Sequence, residues 1–185
     1  MSVLQEKSQV LVITAGPTGL TMALYLGKHG VDVRIIEKSS EEHGRAQGTA
    51  IHPRTQELLA IMGTEKDLFE ITTNPLQMAI YGADGKIIII KSFDWSEVAE
   101  DSPTIPFRKT AFVSQAQLEV ILHCCQRKFG HEVEFGKQLA DIVQDELKVT
   151  AKVTVLADRM EILVDHDYLV TVDGAKGSNK VIPTA

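Results

Sequence analysis

The sequence predicts an α/β fold in which a parallel sheet, started by an N-terminal βαβ unit, is extended by added β-strands. A continuous apolar run at residues 9–13 is typical of a strand that is buried on both faces of a parallel sheet. An amphipathic segment and a second β-branched run follow it, which completes the unit within about 30 residues. After Gly130 the chain consists of segments with strand character, HEVEF, QLADIVQ, LKVTAKVTVL and MEILVDHDYLVTV.

The composition is that of a soluble globular protein, and we expect it in the cytoplasm. Hydrophobic residues make up 44% of the 185 residues and charged residues 24%, which argues against disorder. The formal net charge of −6 gives no support to a role in binding nucleic acid. No run of about 18 apolar residues predicts a membrane span, and the N-terminal MSVLQEKSQ lacks the pattern of a signal peptide.

The two cysteines, Cys124 and Cys125, are adjacent, so they would make a poor structural disulfide. The sequence contains no Cys-x-x-Cys, and we predict no metal site. We expect two thiols on a helix, one of which faces the core.

The strand Gln9–Ile13 leads into a helix predicted over Thr18–His29, which ends at Gly30, a residue suited to a C-cap. The apolar face of that helix repeats at three- to four-residue spacing: Leu20, Ala23, Leu24 and Gly27. The β-branched run Val31–Ile36 predicts the second strand. We expect the crossover between the two strands to be right-handed, as nearly all such connections are.

Further along, the sequence predicts a loop at Ser39–Ala50 and a helix that starts at Pro53 and continues over Arg54–Met62 until Gly63 stops it. The other elements before Gly130 are a short helix Glu65–Ile71, two strands around a turn at Ala83–Gly85, a proline-containing loop Ser96–Phe107, and a helix from the N-cap Ser114 to Phe129.

The segment TAGPTG, residues 14–19, lies between the first strand and the first helix. Gly16 and Gly19 match the second and third glycines of the Gly-x-Gly-x-x-Gly fingerprint, which let the backbone approach a pyrophosphate and let the helix pack closely on the strand. The phosphate charge is met there by backbone N–H groups and the positive helix end. Glu37 ends the second strand about 20 residues later, where a carboxylate accepts hydrogen bonds from both ribose hydroxyls. These features predict a Rossmann-like dinucleotide site, with a βαβ unit that binds no nucleotide as the alternative.

Thr14 occupies the position of the first fingerprint glycine. A β-branched residue disfavours positive φ and adds bulk, at a cost of about 1–3 kcal/mol if the backbone is held in a sparsely populated region. The cost would be much smaller if the turn keeps ordinary β geometry at this residue. Our hypothesis is that Thr14 weakens cofactor affinity while the fold is retained.

Three further stretches make the nucleotide prediction specific. They are GRAQGTAIHPRTQELLAIMG (Gly44–Gly63), VSQAQLEVIL (Val113–Leu122) and DYLVTVDGAKGSNKVI (Asp167–Ile182). With the fingerprint, they resemble the FAD-dependent aromatic-ring monooxygenases, the phenol-hydroxylase and para-hydroxybenzoate-hydroxylase-like flavoproteins. The similarity runs over essentially the whole chain in the order of that family. It implies a Rossmann-like FAD-binding domain.

The resemblance also implies roles for residues beyond the fingerprint. Arg45 would reach the FAD pyrophosphate or ribityl region, because a guanidinium fork matches phosphate oxygens. Gln115 would hydrogen-bond the ribityl or phosphate portion, Asp173 would hold a ribityl hydroxyl, and Gly174 would permit close approach of the backbone. Without the resemblance, Arg45 would be interpreted as a solvated loop charge and Gln115 as a surface residue. The complete predicted cofactor-binding set is Thr14, Ala15, Gly16, Pro17, Thr18, Gly19, Glu37, Lys38, Arg45, Gln115, Asp173 and Gly174.

The resemblance implies an NAD(P)H-dependent hydroxylation of a small phenol-like substrate by O₂. In that family NAD(P)H is the electron donor to FAD, and oxygen is delivered from a flavin C4a-hydroperoxide, while the protein orients the groups and excludes water. We assign no catalytic residue. His52 lies near the expected flavin side, but a single histidine before a proline-initiated helix is more often structural.

The sequence also departs from the family pattern. Gly177 stands where the family usually has Ser, and Lys180 where it usually has Arg, which keeps the charge and loses the bidentate fork. No Gly-Asp dipeptide, the later flavin-binding motif of the family, occurs in the 185 residues. We therefore expect a truncated form whose FAD-binding domain (1–75 and 110–185) is incomplete, with 76–109 as the first strands of a substrate domain. An uncovered sheet edge would favour self-association.

Three functional hypotheses follow from these observations. The first is a flavin monooxygenase, or the N-terminal part of one. The second is a non-catalytic remnant with weak or no nucleotide binding. The third, a small NAD(P)-binding reductase, is disfavoured by the Asp173–Gly174 segment and the Arg45 loop, because a simple nicotinamide-binding unit does not need them.

Overall fold

The computed structural model describes residues 7–42, 50–72, 77–81, 89–94, 104, 106–172 and 174, with the backbone alone for 77–81 and 89–94. The first elements are β1 (Ser8–Ile13), α1 (Pro17–Lys28), β2 (Val33–Glu37), β3 (Ala50–Ile51), α2 (Pro53–Ile61), α3 (Glu65–Ile71), β4 (Gln77–Tyr81) and β5 (Ile89–Asp94). They are followed by β6 (Ala111–Phe112), α4 (Gln115–Lys128), β7 (Val133–Phe135), β8 (Lys137–Gln144), β9 (Val149–Val155) and β10 (Met160–Thr171).

Six of these strands form one sheet in the order β7-β2-β1-β10-β9-β8. The first four run parallel, β9 pairs antiparallel with β10, and β8 pairs antiparallel with β9. The central strand β1 therefore lies between β2, its neighbour in sequence, and β10, where Ser8 pairs with His166. This architecture confirms the predicted α/β fold with a parallel sheet and added strands.

The βαβ unit forms as its pattern predicts. In β1 only Gln9 is exposed, because the strand is covered on both faces. Helix α1 buries Leu20, Ala23 and Leu24 completely. The helix ends in a Schellman motif, in which Gly30 at φ +77° donates its N–H to the Gly27 carbonyl.

The core beneath the sheet is built from alternating residues of three strands. Its fully or nearly buried members are Leu11, Ile13, Ile36, Ala151 and Val153. These residues lie on β1, β2 and β9, so packing joins the parallel and antiparallel halves of the sheet. Ala151 and Val153 of β9 thus help to bury apolar side chains of the N-terminal βαβ unit.

A bidentate ion pair connects β2 to β7. The guanidinium of Arg34 donates from Nε and Nη2 to the two carboxylate oxygens of Glu134, and Lys137 donates to the same carboxylate. Burial acts to raise the pKa of Glu134, but the hydrogen bonds and charges of Arg34 and Lys137 outweigh it and hold the pKa below the usual 4.5.

A buried histidine lies at the start of the β1–β10 pairing. His166 is fully buried and shares a 2.9 Å hydrogen bond between its Nδ1 and the Oγ of Ser8. Burial lowers the pKa of His166, because desolvation penalises the imidazolium more than the Ser8 contact favours it.

The chain divides into two compact units, residues 1–45 with 118–185 and residues 46–117. In the second unit, β3 pairs with β6 and β4 pairs with β5, while the predicted turn at 83–85 lies outside the described residues. The strands β3 and β6 were not predicted, because two residues are too few to show a period. The buried Gln56 of α2 donates to the carbonyls of Ile51 and Lys109, which holds α2 to the segment leading into β6.

Helix α4 starts with a capping box. The N–H of Gln117 donates to Ser114 Oγ, and the Gln117 side chain accepts from the Ser114 N–H, as is usual for Ser-x-x-Gln. Cys125 is buried and Cys124 exposed, which confirms two free thiols with one facing the core. With 14 residues, α4 is the longest helix among the described residues, and none of them is long and apolar enough to cross a bilayer.

Candidate functional site

The turn Thr14–Gly19 joins the carboxyl end of β1 to the N-terminus of α1. The Thr14 N–H donates to the Ile36 carbonyl over 2.8 Å, which attaches the turn to β2. Pro17 takes the first position of the helix and Gly16 is the N-cap, in extended conformation. Among the described residues no side chain caps α1, and its first turn has no acidic residue. Its positive end therefore suits an external anion.

Gly16 and Gly19 serve different purposes. A Cβ on Gly19 would lie 2.1 Å from the Thr14 carbonyl oxygen, which is far inside contact distance. This is the close helix–strand packing expected of the third fingerprint glycine. A Cβ on Gly16 would have no described atom within 4 Å, so this side of the turn is open to a ligand.

Glu37 lies under the turn and is only 4% exposed. Its Oε2 accepts two hydrogen bonds, 2.8 Å from Thr14 Oγ1 and 2.9 Å from the Ala15 N–H. Its Oε1 accepts from the Ser39 N–H at 2.8 Å. Burying a carboxylate is costly without such donors, so the turn and the end of β2 fix the position of Glu37.

Thr14 adopts φ +85°, in the left-handed region that a β-branched residue disfavours. The structure therefore has the strained geometry, rather than the ordinary β geometry that would have cost little. Strain of about 1–3 kcal/mol is comparable with the roughly 1.5–3 kcal/mol that a hydrogen bond to a charged group contributes. The contact with Glu37 thus offsets the cost of a threonine in this turn.

The end of β10 reaches the same edge of the sheet. The Val172 N–H donates to the Ile13 carbonyl at 3.4 Å, and Val172 Cγ2 would lie 3.3 Å from a Cβ on Gly19. Gly174 follows at φ +73°, a conformation that favours glycine. The Asp-Gly segment therefore continues from the strand next to the fingerprint, although Asp173 itself lies outside the described residues.

The structure places the other predicted residues in different settings. Ala15 is buried, Thr18 is exposed on the first turn of α1, and Lys38 is exposed directly after β2. Gln115 is the first residue of α4 and is partly buried. Arg45 lies outside the described residues.

The family model described as "FAD binding domain" matches residues 7–184. The chain belongs to this family. The match includes the fingerprint turn, Glu37 and the segment after β10. Together with the relatives described next, it confirms the resemblance to FAD-dependent monooxygenases.

Relatives of this FAD-binding domain are flavoprotein monooxygenases. The chain is 27% identical to the tetracenomycin A2 monooxygenase-dioxygenase of Streptomyces glaucescens, over 92% of this chain and 33% of the relative. It is 28% identical to the 4-methyl-5-nitrocatechol 5-monooxygenase of a Burkholderia species, over 92% of this chain and 32% of the relative. The chain therefore spans about a third of the length of these curated relatives, in their N-terminal part.

A solved structure shows the same fold. The p-nitrophenol 4-monooxygenase of Pseudomonas putida DLL-E4 superposes with a TM-score of 0.82 at 24% identity, over 94% of this chain and 43% of the other. The parallel sheet with its added antiparallel strands is thus the fold of this part of such enzymes.

The FAD-binding domain retains features that fit a dinucleotide. The open side of Gly16 and the helix end behind it leave room for a pyrophosphate. The sequence did not reveal that Ser39 and Thr14 both donate to Glu37. The Ser39 donor is its backbone N–H, which any residue other than proline would supply, so the type of residue at position 39 carries no signal for this contact. The hydrogen bond from Thr14 to Glu37 depends on the register between β1 and β2.

Proposed function

We propose that this chain forms the FAD-binding part of an NAD(P)H-dependent monooxygenase that hydroxylates a phenol-like aromatic substrate. One observation carries the proposal: the N-terminus of α1, which no described side chain caps, lies beside the buried carboxylate of Glu37. An anion site next to a fixed ribose acceptor is the arrangement that a dinucleotide requires.

Seven of the twelve predicted residues then have a direct binding role. The backbone of Gly16 and the first N–H groups of α1 hold the pyrophosphate, and Glu37 accepts from the ribose. Gly174 allows the backbone to approach the ribityl chain, which Asp173 binds. Arg45 and Lys38 would supply charge to the phosphates, and Gln115 would supply a hydrogen-bond donor to the cofactor.

Bound FAD would supply the redox chemistry, with NAD(P)H as the electron donor and O₂ as the oxidant. The residues of this chain bind and orient the cofactor. The names of the Burkholderia and Pseudomonas relatives refer to 4-methyl-5-nitrocatechol and p-nitrophenol. Both compounds are phenols, which supports a phenol-like aromatic as the substrate class.

The test is cofactor retention by the purified chain. We expect visible flavin absorption bands to elute with the protein on gel filtration after incubation with FAD, and Glu37→Gln to reduce retention. The matched control is Glu134→Gln, because Glu134 also lies in a hydrogen-bonded pair on the same sheet but not at the turn. A chain that stays colourless at tens of micromolar FAD would contradict the proposal and favour the non-catalytic remnant.

A further inference from the structure

The carboxylate that should recognise the ribose is partly occupied by the protein itself. A carboxylate oxygen offers two lone-pair positions. Glu37 Oε2 receives the Thr14 hydroxyl at 2.8 Å and the Ala15 N–H at 2.9 Å. Both positions on this oxygen are therefore used within the turn.

The two donors differ in their origin. The Ala15 N–H belongs to the backbone and would be present with any residue at position 14. The hydroxyl is contributed by Thr14 alone, and a glycine in its place could not supply it. The extra hydrogen bond to Oε2 thus depends on the hydroxyl of the residue at position 14.

Both residues of the Thr14–Glu37 contact make further hydrogen bonds. Thr14 has a stiff β-branched side chain, and its N–H is fixed to the Ile36 carbonyl at 2.8 Å. Glu37 is buried and receives a further hydrogen bond from the Ser39 N–H. The Thr14 backbone and the Glu37 carboxylate are thus each positioned by a further hydrogen bond.

We propose that Thr14 is a specificity-determining residue that keeps Oε2 of Glu37 from one ribose hydroxyl, so that the site recognises a nucleoside diphosphate without reading both hydroxyls. This inference rests on the proposed function, since it concerns the ribose contact of the same dinucleotide site. Its consequence is a site that tolerates the loss of one ribose hydroxyl.

The test measures binding of ADP, 2′-deoxy-ADP and 3′-deoxy-ADP to the full chain by NMR titration, with the Ala15 amide as reporter. This N–H donates to the same oxygen, so its signal responds to the contact in question. We expect the wild type to bind one of the two deoxy analogues as well as ADP, within about twofold. In Thr14→Gly that analogue should bind about tenfold more weakly than ADP, because the Thr14 side chain no longer occupies Oε2 and this oxygen then accepts the second hydroxyl.

Two variants separate recognition from structure. Thr14→Gly removes the donor and leaves the position beside Oε2 open, and Thr14→Ser keeps the donor and should show the wild-type pattern. If the hydroxyl merely supports the turn, Thr14→Gly will change the affinity for all three nucleotides by the same factor and leave their ratios unchanged. That result, or a wild type that already discriminates against both deoxy analogues, overturns the inference while ADP binding still supports the proposed function. If neither ADP nor FAD shifts the Ala15 signal at millimolar concentration, the proposed function and the inference both fail.

Discussion

Gly19 packs so tightly against Thr14 that a Cβ on the glycine would sit 2.1 Å from the threonine carbonyl oxygen. The partner atom belongs to the backbone, so it cannot rotate away as a flexible side chain could. This relationship fixes how closely α1 approaches β1.

The substitution Gly19→Ala should destabilise the protein by about 1–3 kcal/mol, the usual cost of overpacking. Urea unfolding followed by circular dichroism measures the change. Gly16→Ala is the matched control, because a Cβ there meets no described atom within 4 Å. Equal stability of the two variants would show that the close approach is absent in solution.

Replacing Thr14 by glycine should raise the affinity for FAD by roughly tenfold, since Oε2 of Glu37 becomes available to a ribose hydroxyl. Stability should change by no more than about 1 kcal/mol, because relief of the backbone strain offsets the lost hydrogen bond. Quenching of flavin fluorescence measures the affinity. Equal affinities of the wild type and Thr14→Gly for FAD would contradict the hypothesis that Thr14 weakens cofactor binding.

Glu134 should make the free energy of unfolding depend on pH in the acidic range. Its folded pKa is lowered by Arg34 and Lys137, so its contribution is fully present above the unfolded pKa and is lost as pH falls through the folded value. Glu134→Gln should cost about 1–3 kcal/mol at pH 7, and the difference from wild type should shrink below about pH 4. Urea unfolding at a series of pH values tests this; a pH-independent difference would argue against a charged Glu134.

His166 should make the stability of the protein depend on pH in a less acidic range than Glu134 does. Burial lowers its folded pKa, so protonation favours the unfolded chain and stability falls as pH drops below the unfolded pKa of about 6.5. The charges of Arg34, Asp165 and Glu134 also act on this group. His166→Asn retains a partner for Ser8 and does not titrate. The variant should therefore lose less stability than the wild type between pH 7 and 5, as thermal melts would show.

The outer strand β8 should promote self-association. It ends the sheet in the described part of the chain, and Val143 on it is 69% exposed. An unpaired edge with an apolar side chain favours pairing with another copy. Val143→Lys should lower the concentration-dependent mass measured by light scattering, whereas Val120→Lys on α4, also exposed, should leave it unchanged.

The sequence was sufficient where its pattern was long and local. The periodicity of α1, the buried run of β1 and the glycines of the turn each depend on residues close together in the chain. The strands β3 and β6 could not be predicted, because two residues carry no period. The Thr14–Glu37 hydrogen bond could not be predicted either, because it joins residues 23 positions apart through the register of two strands.

The position of β10 beside β1 has a consequence for folding during synthesis. Ser8 meets His166 across 158 positions, so the central strand of the sheet lacks one neighbour until almost the whole described chain has left the ribosome. At roughly 5–20 residues per second, that is about 8–30 seconds of translation. The nascent βαβ unit exposes one edge of β1 throughout this interval, and such long-range pairing makes folding slow. A chaperone that covers this edge would act on the chain before β10 arrives.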